Sequence, residues 1–172
     1  MIISILSDKK VKVLESFYTL IRNNNTIPCF LSNEGILTSE VWCSNNILTY
    51  IDKFDSSNIT WHFRKILTEL KLSVEYYHNA RLEYKFVHFF DYGHFEGSAM
   101  DWHDHVNAED YVFIIYLNDC TDGETIFDKN ELVKLIPSKG LTVYFDSKVP
   151  HCAAYSKNKK ILVGGLKIIN GV

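Results

Sequence analysis

The stretch Met100-Asp101-Trp102-His103-Asp104-His105 and one distant residue, His151, carry the pattern in this sequence that could do chemistry. Imidazole is the commonest protein ligand for transition metals. His103 and His105 are two positions apart in a stretch that reads as extended, and side chains two apart on a strand point the same way. His151 follows Val149-Pro150, after the apolar run Leu141 to Phe145. Two ligands from one strand and a third from a partner strand let a β-barrel hold a metal on one face and keep coordination positions open. One histidine alone carries little weight. The paired spacing with a distal third makes a metal centre at His103, His105 and His151 the leading expectation.

Such a site needs a core to hold it. The chain has 172 residues, 47% hydrophobic and 23% charged, which suits one globular domain without covalent staples. A formal net charge of −3 and scattered Lys and Arg residues, apart from Lys157-x-Lys159-Lys160, do not indicate a nucleic-acid partner. Cys29, Cys43, Cys120 and Cys152 form no C-x-x-C pair, and the first ten residues lack the basic and apolar regions of a signal peptide. No apolar run approaches the ~18 residues of a membrane span. A soluble, cytoplasmic or otherwise intracellular protein with reduced thiols is expected. The Asn-rich stretches at 23–25 and 45–46 look like codon bias of an AT-rich genome, as in a virus or parasite.

The elements fall into two blocks. Residues 1–80 read mainly as helical support and residues 81–172 as the strands of a single domain. Val11, Leu14, Phe17, Tyr18 and Ile21 predict a helix over 8–22 with Asp8 as N-cap. A short strand is expected over Ile27–Leu31, closed by a turn at Asn33-Glu34-Gly35. Thr38-Ser39-Glu40 can open a second helix through Trp42, Ile47, Leu48 and Ile51, and Ser57-Asn58 can cap a third running to Val74. From Arg81 the period shifts towards two: Leu82, Tyr84, Phe86, His88 and Phe90 alternate as on a strand. Met100–His105, a doubly buried Tyr111–Leu117, Glu124–Phe127, Leu132–Ile136, Leu141–Phe145 and Ile161–Ile169 follow. Helices followed by antiparallel strands predict an α+β fold with a jelly-roll, or double-stranded β-helix, core.

Residues 92 to 166 also resemble the Fe(II)- and 2-oxoglutarate-dependent dioxygenases, in the prolyl 4-hydroxylase-like branch. Tyr92-x-x-x-x-Gly97 leads into Met100-Asp101-Trp102-His103, then Phe113-Ile114-Ile115-Tyr116-Leu117-Asn118-Asp119. Asp122-Gly123-Glu124-Thr125-Ile126-Phe127 is a version of the family's G-G-E-T-x-F, and Pro137-x-x-Gly140-x-x-Val143-x-Phe145 precedes His151. The resemblance implies iron held by His103 and His151, with dioxygen and 2-oxoglutarate on the open positions. It implies that Lys160, nine residues after His151, pairs with the far carboxylate of 2-oxoglutarate, with Lys159 as a competitor. Tyr116 is implied to bond that same carboxylate, and Tyr92 to lie against the co-substrate. The implied activity couples decarboxylation of 2-oxoglutarate to hydroxylation of a peptide or protein side chain. No arginine occurs after Arg81, which disfavours the alkylated-base demethylases.

One position departs from the family. Where it has aspartate, two residues after the first histidine, this chain has His105, so three neutral imidazoles leave the site one unit more positive. Asp104 or Asp101 are the alternative ligands, and His105 needs no strand distortion. Gly97-x5-His103-x-His105-x3-Glu109 also fits the first cupin motif, a three-histidine site that uses no 2-oxoglutarate. The remaining alternative is a non-catalytic metal-binding or interaction protein on the same fold.

Overall fold

The computed structural model describes residues 1–23, 29–32, 41–51, 58–94, 96–106 and 108–169. The first helix, α1 (Asp8–Asn23), follows a short strand β1 (Ile2–Ile5). It buries Val11, Leu14, Phe17 and Ile21, one face of a 3.6-residue period. The carbonyl of Ser7 accepts from the amides of both Lys10 and Val11, so the first turn begins one residue before the expected Asp8. The long helix α3 (Asn58–His78) buries Phe63, Ile66, Leu67, Leu70 and Val74 by the same rule.

Between them the expected second helix is replaced. Val41–Ser44 form a strand, β3, paired with β2 (Cys29–Ser32) and with β4 (Leu82–Asp91). The β-branched and aromatic pair Val41-Trp42 places Val41 in the barrel core and Trp42 among the helix contacts. The helical start signal lies later, at Asn46. Its side chain accepts from the Leu48 amide at 3.2 Å to cap the short α2 (Ile47–Tyr50), and from the Val87 amide at 3.1 Å to tie the cap to β4. The turn expected at 33–35, the helix start at 38–40 and the cap residue Ser57 lie outside the described residues.

The remaining strands are β5 (Ser98–His103), β6 (Tyr111–Tyr116), β7 (Thr125–Lys129), β8 (Glu131–Leu135), β9 (Leu141–Asp146), β10 (His151–Ser156) and β11 (Lys160–Ile168). They form two antiparallel sheets, β1-β9-β6-β11-β4-β3-β2 and β5-β10-β7-β8, the double-stranded β-helix expected from the sequence. The helices cover the outer face of the larger sheet. Phe17 and Phe63 stack there with centroids 4.1 Å apart, and Phe89 lies within 6.4 Å of both. Strand β6 is buried on both faces, as read: Phe113 and Ile115 face the helices, Val112, Ile114 and Tyr116 the barrel interior. Among the described residues no helix is long and apolar enough to cross a membrane.

Two strand assignments shift, and both bear on the site. Strand β10 has little β-branched content (His151-Cys-Ala-Ala-Tyr-Ser156), yet it lies between β5 and β7 and holds the centre of the smaller sheet. Strand β4 carries a bulge. Gly165 opposes Phe86 but Leu166 opposes Tyr84, leaving Lys85 without a partner. The uniform alternation of the sequence is therefore split. Leu82 and Tyr84 face the helices, the Tyr84 hydroxyl donating to the Leu67 carbonyl at 2.6 Å, whereas Phe86, His88 and Phe90 turn into the barrel.

Candidate metal centre

His103 ends β5 and His151 begins β10, and the two are register partners. His105 is placed differently from expectation. The strand stops at His103, and His105 belongs to the following loop, fixed by its amide donating to the Ser147 carbonyl at 2.9 Å. The three residues nevertheless converge. One ring nitrogen of each lies within 4.8 Å of those of the other two, and centroids are 4.2 to 5.4 Å apart. Among the described residues this is the one cluster of three or more His, Cys, Asp or Glu with metal-binding proximity.

The Nδ1 atom of each ring is already engaged. His103 Nδ1 lies 2.8 Å from the Asp101 carbonyl, His151 Nδ1 3.1 Å from the Val149 carbonyl, and His105 Nδ1 2.7 Å from Oε1 of Glu109. At His103 and His151 a carbonyl acceptor at Nδ1 favours the tautomer whose Nε2 carries the lone pair, which is the ligating form. The Glu109 contact at His105 is within ion-pair distance only. Burial and the neighbouring His103 push the pKa of His105 down to about 4 and that of His151 down to about 3. Both rings are neutral at physiological pH, as metal ligands must be. The donor set fits a divalent transition metal.

The two alternative carboxylates point to other partners. Asp104 is exposed and accepts from the Val106 amide at 3.1 Å, and exposed Asp101 accepts from the Trp102 amide at 2.7 Å. Neither joins the histidine cluster.

The cluster lines a cavity of about 470 Å³ inside the barrel, together with Phe86, His88, Phe90, Tyr92, Met100, Glu109 and Thr125. His88 directs Nδ1 at the Ser44 carbonyl, 2.8 Å away, and burial lowers its pKa. The buried Tyr116 hydroxyl donates to Thr125 Oγ1 at 2.6 Å, so Tyr116 meets the cavity through that threonine. Burial raises the Tyr116 phenol to about 12 and raises Tyr92 further.

The two lysines part company. Lys160 pairs with Asp91, whose carboxylate accepts from Tyr18 of α1 at 2.5 Å, so strand alternation puts Lys160 on the helix side. Lys159 belongs to the parity of Ile161 and Val163, which line the cavity, and is 1% exposed. Its Nζ lies 4.2 Å from the Tyr92 ring centroid and donates to the Gly123 carbonyl at 2.8 Å. Among the described residues no carboxylate forms an ion pair with it. Burial lowers its pKa to about 8, against the weaker pull of Cys120, Asp122, Cys152 and Glu124.

Sequence reading passed over three wall residues, Phe86, His88 and Phe90. The apolar alternation of β4 contained them, but the bulge that aims them inward has no sequence mark.

No protein-family model matches the sequence, and no curated protein is similar to it. Solved structures are similar in fold. A prolyl-4-hydroxylase from Pseudomonas putida superposes with a TM-score of 0.65 at 14% identity, covering 93% of this chain and 88% of that one. The non-heme alpha ketoglutarate dependent epimerase SnoN from nogalamycin biosynthesis gives 0.70 at 11% identity, with 94% and 75% covered. A Trichoplax adhaerens prolyl hydroxylase, in complex with a hypoxia inducible factor peptide fragment, gives 0.64 at 15% identity, with 95% and 82% covered. These likenesses establish the double-stranded β-helix fold of the 2-oxoglutarate–Fe(II) oxygenases.

Proposed function

We propose that the protein is an Fe(II)- and 2-oxoglutarate-dependent oxygenase that hydroxylates a peptide or protein side chain. One observation carries the reading. Three converging histidines line a barrel cavity whose wall residue Tyr92 carries over its ring the buried Lys159 ammonium, which has no carboxylate ion pair among the described residues. A buried cation without a counter-ion is costly, and the far carboxylate of a dicarboxylic co-substrate is the group that would neutralise it.

In this reading His103, His105 and His151 hold iron through Nε2. Lys159, rather than Lys160, is the cation for the far carboxylate, with Thr125, backed by Tyr116, adding a hydroxyl, and Tyr92 forming the wall beside it. Iron with 2-oxoglutarate supplies, when bound, the oxidation of an unreactive C–H bond by dioxygen, with succinate and carbon dioxide as co-products. The chain's own part is to orient and enclose. Phe86 and Phe90 keep the cavity apolar, and the Nδ1 contacts orient the imidazoles.

The peptide or protein class of substrate is supported by the likeness to prolyl hydroxylases, one of them solved with a peptide fragment. The test is succinate formation from 2-oxoglutarate with added Fe(II), followed by a mass-spectrometric search for +16 peptides. We expect slow uncoupled turnover even without a prime substrate. An iron-loaded chain that neither binds nor consumes 2-oxoglutarate overturns the reading.

A further inference from the structure

With histidine where the family places aspartate, a metal at His103, His105 and His151 lacks the one anionic ligand that such sites use. The structure holds a carboxylate one step behind the ligand. Glu109 is 3% exposed, and its Oε1 lies 2.7 Å from His105 Nδ1. That contact is within ion-pair distance but short of hydrogen-bond alignment, which leaves Oε1 buried and otherwise unpartnered. We propose that Glu109 is a positioning residue that fixes His105 as an Nε2 ligand and returns to the site, through the imidazole, the negative charge that the missing aspartate would have supplied. This rests on the reading of the three histidines as metal ligands.

The surroundings are built for that contact. A turn closed by the Ala108 amide on the His105 carbonyl, at 3.2 Å, folds Glu109 back under the ring four residues earlier. The loop is pinned at both ends, by the His105 amide on the Ser147 carbonyl and by the Asp110 amide on the Leu166 carbonyl, each at 2.9 Å. The carboxyl group lies against bare backbone: a Cβ at Gly165 would come within 3.0 Å of Glu109 Cδ and 2.4 Å of Phe86 Cε1. Among the described residues no lysine or arginine forms an ion pair with Glu109; its partner is His105.

A neutral imidazole compensates a buried carboxylate poorly. Coordination changes that balance. A divalent ion on Nε2 withdraws charge from the ring and makes Nδ1–H a far stronger donor, so the carboxylate and the metal support one another through the same imidazole. The arrangement has little use for Glu109 unless His105 is metallated.

The experiment is direct metal titration of the full chain, stripped with chelator, using Co(II) as a spectroscopic probe and anaerobic Fe(II) as the second. Glu109→Gln keeps the shape and removes the charge; Glu109→Ala removes both. Thermal unfolding of the apo forms checks that each folds, with Glu109→Asp as the replacement should Gln not fold. We expect Glu109→Gln to weaken Co(II) binding about 10- to 100-fold and to shift the cobalt d–d bands. Wild-type affinity and spectrum in both Glu109→Gln and Glu109→Ala would overturn the inference while leaving the metal site intact. A loss in Glu109→Ala as complete as in His105→Ala would also overturn it, by making Glu109 a ligand in its own right. A wild-type chain that binds neither metal ends the reading of the site, and this inference with it.

Discussion

His151 stands directly opposite His103 on the neighbouring antiparallel strand, with the two rings 4.2 Å apart. On its other flank His151 opposes Phe127, and the Phe127 and Phe145 rings pack 5.8 and 4.8 Å away. The ring is thus held from both sides before any metal arrives. We expect one Fe(II) or Co(II) per chain, and no measurable binding at micromolar metal in His103→Ala or His151→Ala, read by calorimetry. Binding of wild-type strength in either variant would place the metal elsewhere.

Lys159 gives a prediction with a defined pH window. Its folded pKa of about 8 lies below the ordinary 10.5, because burial disfavours the ammonium. Between these values the unfolded chain binds a proton that the folded one does not, so this lysine makes stability rise with pH. The gain begins near pH 8, is complete above about pH 10.5, and amounts to about 3 kcal/mol. Denaturant titrations across that range should show this rise in wild type and lose it in Lys159→Met.

In the proposed oxygenase the same lysine governs co-substrate affinity in the opposite sense. Only the charged form pairs with a carboxylate, so 2-oxoglutarate binding should weaken above pH 8 by up to tenfold per pH unit. Lys159→Met should weaken it at neutral pH by roughly ten- to a hundredfold, from a lost contact of about 1.5–3 kcal/mol. Lys160→Ala should bind as wild type does. Calorimetry with Mn(II)-loaded protein under nitrogen separates the two, and a defect in Lys160→Ala alone would reverse the assignment.

His105→Asp gives this position the aspartate of the 2-oxoglutarate dioxygenases that the sequence resembles, yet it also brings a second carboxylate towards buried Glu109. Like charges in a shared buried site oppose one another. The single exchange should therefore bind iron less well than the double variant His105→Asp with Glu109→Gln. The comparison is a double-mutant cycle on Fe(II) affinity, with 2-oxoglutarate turnover as a second readout. Additive effects would show that the two positions act independently.

Stability and site can be separated through the helical layer. Phe63 is fully buried and stacks on Phe17, so Phe63→Ala should cost about 3–5 kcal/mol. Its contacts lie on the helix side of the larger sheet. Metal affinity of the folded fraction should stay within a few-fold of wild type, checked by titration well below the unfolding temperature.

Much of the barrel was legible because periodicity reports burial. The doubly buried β6, the α1 and α3 faces and the order of the later strands follow from apolar spacing alone. Two kinds of feature were not legible. Strand β10 is recruited by its neighbours rather than by its own residue preferences, so Cys152-Ala153-Ala154 carried no strand signal. Trp42 was read into a helix because the capping residue Asn46 acts four positions later. At the site, histidine spacing pointed to three rings that the fold brings together, although His105 gets there by a loop hydrogen bond rather than by strand alternation. Counting nine residues from His151 points to Lys160; the β4–β11 pairing puts Lys160 on the helix side, while Lys159 is buried over the Tyr92 ring with the parity of Ile161 and Val163.

The paired glycines of β11 set how the two halves of the molecule communicate. Opposite Gly164 the Phe113 ring, on the helix side, sits where a Cβ would be, 2.3 Å from its ideal position; next to it, on the cavity side, Phe86 and Glu109 do the same at Gly165. For the length of those two residues the partition between helical layer and cavity is a single peptide thick. With no side-chain cushion there, a ring-sized change at Phe113 reaches the far side as a displacement of the main chain itself. Residues that never meet a ligand can thereby set the fit of the cavity, which makes the outer core a place to tune the chemistry without entering it.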